Sequence, residues 1–307
     1  MDKSEAQFGY YPYPLKIAVG DIVISTLDGL DECVEDIKSD PDIEDGWLYP
    51  GRQLISNFGG SVRERPYNAR VFGMPKTHLM FHANSDSEKH LDFHIWCLSF
   101  ILGTQLSMSD AGFLDAVSIR PGHLTDFKIP NPSLEKAVSD IEVFWANHKR
   151  NPKIVTRVCA IINSVFMSQY PHHLDFEEFN LLYMGLDTCS AITREIYPPT
   201  KKRVAHGERI DDMCKIYGII TPDWAKPKPR KTEISIVRND TLHEAIFFGE
   251  PLGYALYDNQ TRGAQYRNVL LEMRALTCRI LVAILFGVSN SYTSSPTGTR
   301  MNYKLVL

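Results

Sequence analysis

The stretch Lys128–Pro132, KIPNP, separates two textures of sequence. Its two prolines lack an amide hydrogen and push the residue before them toward extended backbone, so the segment disfavours helix, and Ser133 is placed to cap the next helix. Upstream, β-branched residues and alternation predict strands at Pro14–Val19, Asp21–Leu27, Ala69–Phe72 and His78–His82, with further short strands at Leu114–Ile119 and Thr125–Ile129. One helix interrupts them over Ser87–Leu106, where Leu91, Ile95, Leu98 and Leu102 recur at intervals of three and four.

Downstream the period changes to that of helices. Leu134–Asn147 and Ile154–Ser168 carry apolar stripes, broken between them by Asn151–Pro152. Asp175 is a candidate cap for Phe176–Thr193, whose Phe179, Leu182, Tyr183, Leu186 and Cys189 share a face, and Pro198–Pro199 ends it. A short helix is expected over Glu208–Tyr217. The basic, proline-rich loop Thr221–Lys231 comes after it, then a helix over Glu233–Phe248 with Thr232 as cap. Gln265–Phe286 is the last long helix, and Met301–Leu307 reads as a terminal strand. The expected fold is therefore α+β. A strand-rich domain over residues 1–128 precedes an all-α up-and-down bundle over 132–290, with a tail over 291–307.

Composition bounds the function. Hydrophobic residues at 44% and charged residues at 23% suit a globular protein with a core. The six cysteines show no CxxC spacing, which argues for a reducing compartment and against a cysteine zinc site or a disulfide framework. The N-terminus lacks the plan of a signal peptide, and no apolar run is long enough to span a bilayer, so a cytoplasmic protein is expected. Residues 1–125 hold 10 basic and 18 acidic side chains, whereas residues 126–307 hold 23 and 19. A polyanion would then meet the second half, although a simple compositional fluctuation explains the asymmetry equally.

The chemistry is concentrated in IVRNDTLHEA, Ile236–Ala245, where Arg238 is followed by Asn239 and, five positions on, by His243. With 17 arginines and 10 histidines, that spacing alone arises about half a time by chance, so context must support it. The residue types suit metal-free RNA cleavage. RNA brings its own nucleophile, the 2′-OH. Histidine transfers protons near neutral pH, and arginine offers a planar fork of donors to phosphate oxygens. Asn239 can orient either partner. Five residues of an ideal helix turn through about 140°, which predicts that Arg238 and His243 do not sit side by side on one straight helix.

The motif lies late in an all-helical half, before one final long helix, and this arrangement resembles the HEPN superfamily of ribonucleases. Phe176–Ile192, FEEFNLLYMGLDTCSAI, is similar to the family's aromatic helix with an acidic residue, here Asp187. The short stretch Leu98–Gly103, LSFILG, is similar to the end of a β-rich region that precedes HEPN domains in some bacterial anti-phage proteins. The resemblance covers roughly residues 132–290. It implies a metal-independent endoribonuclease that leaves 2′,3′-cyclic phosphate and 5′-OH ends, a homodimer whose two Arg–His sets line one groove, and a role as a defence or toxin effector. RNA, such as tRNA or phage or host transcripts, is the implied partner, with an antitoxin or a trigger molecule. A catalytically silent HEPN scaffold that binds a protein or nucleic acid is the alternative.

Other residues carry weaker signals. Asp187 could position Arg238 across the bundle, although a mid-helix aspartate is more often solvated. Lys226, Lys228, Arg230 and Lys231 in the loop could grip a phosphate backbone, and a solvated loop explains them equally. Glu177 and Glu178 suit the first turn of a helix. Among the histidines, His172–His173 and His78 with His82 are the groupings that suggest a metal, but neither has a convincing partner; His90 and His94 stand at helical i,i+4 spacing, but HExxH is absent. The sequence thus implies no metal and no cofactor. GxxxxGK[ST], GxGxxG and GxSxG are also absent, which disfavours P-loop, Rossmann and α/β-hydrolase enzymes.

Overall fold

A computed structural model describes residues 4–85, 87–198, 204–227, 232–244, 248–249, 253–254, 269–288, 290–299 and 301–307. The chain divides into two compact units, Met1–Leu124 with Leu134–Ser139, and Thr125–Ser133 with Asp140–Leu307. The architecture is mixed α/β, with several small sheets early and helices dominating the second unit.

In the first unit, β1 (Glu5–Phe8), β2 (Lys16–Val19), β3 (Ile22–Thr26) and β6 (His78–His82) form an antiparallel sheet in the order β1-β6-β3-β2. Its register pairs Ile17 with Ile24, and Phe81 with both Glu5 and Val23. Strand alternation sorts the side chains: Phe8, Ile17, Ile22, Ile24 and Met80 are buried, while Val23 and Phe81 face outward. Helix α1 (Leu30–Lys38), which the sequence pattern does not predict, buries only Val34 and Ile37. These join Tyr10, Leu48, Met74, Phe113 and Val117 in a second apolar cluster. An exposed hairpin, β4 (Arg52–Ser56) with β5 (Val62–Asn68), is another unforeseen element. Helix α2 (Glu88–Leu102) is shorter than the expected Ser87–Leu106. It stops at Gly103, whose φ of 59° lets its amide hydrogen turn back to the Phe100 carbonyl.

Among the described residues, six α-helices belong wholly or partly to the second unit: α3 (Asn131–His148), α4 (Pro152–Met167), α5 (Asp175–Ile196), α6 (Arg209–Ile216), α7 (Glu233–His243) and α8 (Val269–Phe286). Helices α4, α5 and α8 pack together, and α6 and α7 lean on α5. Gly185 of α5 permits the close approach, because a Cβ there would meet Ser164 Oγ of α4 at 3.3 Å and Thr277 of α8 at 3.6 Å. Each fully buried Val, Leu, Ile or Phe in these stripes contributes roughly 1.5–3 kcal/mol. Phe179, Leu182, Val158, Ile162, Leu276 and Ile280 are all fully buried.

Several boundaries differ from expectation for local reasons. α3 begins at Asn131 with Pro132 in its first turn, where a missing amide hydrogen costs nothing, so Ser133 lies inside the helix rather than capping it. Asp175 is likewise the first residue of α5, and Glu177 holds the preceding Leu174 amide at 2.9 Å. Thr232 does cap α7, exchanging hydrogen bonds with Ser235. That helix ends at His243 rather than Phe248, and Phe248–Gly249 instead pairs with Gly253–Tyr254. The C-terminal strand is reduced to Tyr303–Lys304, parallel to Phe127–Lys128. Among the described residues, no helix is long and apolar enough to cross a membrane.

Candidate active site

Helix α7 presents Arg238, Asn239 and His243, and the buried Ile234 and Ser235 fix its first turn. It packs against α5 and against the short turns His206–Glu208 and Asp223–Ala225. The second of these turns is anchored by the buried Trp224, whose indole N–H donates to Glu272 at 2.8 Å. Arg238 Nη1 donates to Asn239 Oδ1 at 3.0 Å and to His243 Nε2 at 2.5 Å. The two side chains therefore meet on one helix, although their positions on it were expected to keep them apart. The two Cα atoms do diverge around the helix, but the long guanidinium side chain reaches to the last residue of α7. Because the guanidinium only donates, His243 Nε2 accepts, which puts the neutral imidazole's proton on Nδ1.

A second set of polar groups faces this helix from α5 and the turn after it. Tyr183 and Asp187 are four residues apart on α5 and share a face. The Tyr183 hydroxyl meets His206 Nδ1 at 2.9 Å, with the two rings stacked at 5.8 Å and 14°. Asp187 accepts from Arg209 Nη1 and lies 3.9 Å from His206 Nε2. Asp187 thus pairs with Arg209, not with Arg238 as the positioning reading would have it, and its side chain stays partly exposed. The reason is placement: Arg209 opens α6 directly over the middle of α5.

The electrostatics link the two sets. Burial, with the Asp187 charge adding to it, pushes the Tyr183 hydroxyl up to about 12, so it stays protonated and donates to His206. His206 is held below the usual histidine range by burial, then by the Arg209 and Arg238 charges, against the opposing pull of Asp187. The Arg238 charge acts on both Tyr183 and His206. The Arg238 charge is therefore felt by the Tyr183–His206 pair, which lies on elements that α7 packs against.

Sequence spacing brings Arg238, Asn239 and His243 together and misses Tyr183, His206 and Arg209 as site residues. His206 sits in a one-turn helix without motif spacing, so only the tertiary fold brings it to Tyr183. Of the loop cations, Lys226 is tied to Asp223 at 2.8 Å within its own turn. Lys228, Arg230 and Lys231 lie outside the described residues. On the other side of Asp187, a shallow cleft of about 590 Å³ runs between α4 and α5, with Lys153, Thr156, Arg157 and Thr188 on its walls. Arg157 is paired there with Glu195.

No protein-family model matches the chain, and no match was found among curated proteins or solved structures.

Proposed function

We propose that this chain is a metal-independent endoribonuclease of the HEPN type, with Arg238 and His243 as catalytic residues and Asn239 as their positioning partner. The observation that carries the reading is the contact between the Arg238 guanidinium and His243 Nε2. It joins a phosphate-binding cation to a proton acceptor, the pair that attack by a 2′-OH requires.

The contact also suggests how substrate engages the base. Without RNA, the His243 lone pair is occupied by Arg238. A phosphodiester offers the guanidinium two anionic oxygens in a planar, bidentate arrangement, which competes with the single bond to imidazole. Once Arg238 turns to the phosphate, His243 Nε2 can take the proton of the 2′-OH. The 2′-oxygen then bonds to phosphorus, the P–O5′ bond breaks, and the 5′-oxygen leaves with a proton, giving a 2′,3′-cyclic phosphate and a 5′-OH. His206 is the second proton-transfer group. The arriving phosphate charge offsets the arginines that hold its affinity for protons down, so it can load the proton that the leaving oxygen takes. Arg209 adds charge for the phosphorane, kept in place by Asp187.

The neighbouring cleft with Lys153 and Arg157 suits a single-stranded backbone, as its contacts would be to phosphate rather than base. A homodimer would set two such centres along one groove. A defence or toxin role rests on the family resemblance. The reading is tested by offering the protein an RNA oligonucleotide and its all-DNA counterpart. Cleavage of RNA alone, leaving cyclic-phosphate ends, is expected, whereas equal cleavage of DNA would remove the 2′-OH mechanism.

A further inference from the structure

We propose that the hairpin β4–β5 of the first unit is an arm that binds single-stranded RNA, with Arg63 and Arg65 on phosphates and Phe58 and Tyr67 against bases. The choice of RNA among nucleic acids rests on the nuclease reading, while the affinity for a single strand comes from the hairpin itself.

Charge singles the hairpin out. Arg52–Asn68 holds three arginines and one glutamate, whereas the rest of residues 1–125 holds seven basic and 17 acidic side chains. A polyanion repelled by the acidic body of this unit finds its attraction at the hairpin. Strand pairing then sorts the charges. Glu64 stands opposite Leu54 and Arg63 opposite Ile55, so Arg63 and the carboxylate project from opposite faces. Glu64 lies 4.0 Å from Arg52. Arg63 and Arg65 have no carboxylate partner among the described residues. Arg65 lies instead over the Tyr67 ring, 5.9 Å from its centre.

The aromatic groups are placed for stacking. Phe58 sits in the turn that the Gly60 amide closes by donating to the Asn57 carbonyl at 2.9 Å. Its ring is wholly exposed, Tyr67 is 52% exposed, and all seven residues of β5 face water. A ring held in water adds nothing to the core but offers a flat face to any base. Tyr67 with Arg65 over it joins a stacking surface to a cation. Seven residues at about 3.3 Å each extend the strand over roughly 23 Å, enough to meet several phosphates. A second copy of the chain is a poorer occupant. Pro66 gives the ladder no amide hydrogen, and the irregular register between Arg52 and Leu54 breaks the edge that another strand would pair with.

The test is the fluorescence anisotropy of a labelled 2′-O-methyl oligouridylate titrated with the full chain. This probe has no 2′-OH to attack phosphorus, so binding is read without cleavage. Wild type should bind it. Arg63→Gln combined with Arg65→Gln should weaken binding about tenfold or more. It should also lower the slope of log Kd against log salt by about 1.4, at about 0.7 per phosphate contact. Phe58→Ser should weaken binding about fivefold or more with the slope kept. These positions lie outside the core, so each variant should keep the wild-type thermal midpoint. No binding by wild type, or undiminished binding by the double variant, would overturn the proposal. So would binding of anionic phospholipid vesicles in place of the oligonucleotide. A double variant that turns RNA-free dimers into monomers with RNA binding intact would make the arm a contact between copies, and would overturn it as well. Arm-dependent binding by a chain that cuts no RNA would remove the nuclease reading and leave the arm standing.

Discussion

The ring of His206 stacks on that of Tyr183 at 14°, with the tyrosine hydroxyl 2.9 Å from Nδ1, so the orientation of this imidazole is set by a residue four positions from Asp187. If His206 transfers the second proton, His206→Gln should lower kcat about 10²–10⁴-fold and remove one limb of the pH–rate profile, with RNA binding retained. A profile that keeps both limbs would exclude His206 from proton transfer. Tyr183→Phe should cost less, since the stacked ring remains.

Arg238 is expected to act in the transition state more than in ground-state binding. Arg238→Ala should lower kcat by about 10²–10³-fold, the scale for removing one preorganised donor, with a smaller change in KM. Arg238→Lys should recover only part of this loss, because an ammonium cannot bind the phosphate in a bidentate manner. Full activity in the alanine variant would remove the arginine from the mechanism.

Within the second unit, Arg279 is fully buried and binds Asp126 at 2.7 Å, while Tyr292 also donates to that carboxylate. The guanidinium further donates to the Ser295 and Pro296 carbonyls, so it fastens the segment after α8 to that helix. Removing one member strands a buried charge. Arg279→Met and Asp126→Asn should each cost about 3–5 kcal/mol in urea unfolding, and together less than their sum. A single variant within about 1 kcal/mol of wild type would show that the pair is solvated in solution.

Glu178 supplies a pH signature. Burial raises its carboxyl to about 7, against the lowering pull of Arg274. The folded chain therefore holds this proton where the unfolded chain has released it. That contribution to stability is full below the ordinary carboxylate value of 4.5 and is lost as pH rises through about 7. Glu178→Gln should remove the loss, gaining on the order of 1–2 kcal/mol over wild type at pH 8 relative to pH 5, allowing for solvent screening. Parallel urea midpoints for the two proteins across that range would contradict it.

The legible parts of the fold were those with a strong period. Apolar stripes such as Val158, Ile162 and Val165 located the long helices, and β2, β3 and β6 emerged from alternation. The hairpin β4–β5 escaped because nearly all its residues are exposed, leaving no inward face to read. Helix α1 escaped because two buried residues in a run of Asp and Glu make a faint stripe. In the site, Arg238, Asn239 and His243 were visible as a local spacing, whereas Tyr183, His206 and Arg209 meet only through packing of α5, α6 and α7. As points on a helix Arg238 and His243 stand about 140° apart, and only the reach of the arginine side chain, which spacing does not show, closes that gap.

The central claim is tested most directly by incubating wild-type protein and His243→Ala with labelled total RNA and tRNA in the presence of EDTA. Cleavage by the wild type alone, with 2′,3′-cyclic phosphate ends, is the expected result and would establish a metal-free mechanism dependent on His243. Equal cleavage by both proteins, or none by the wild type, would contradict the account.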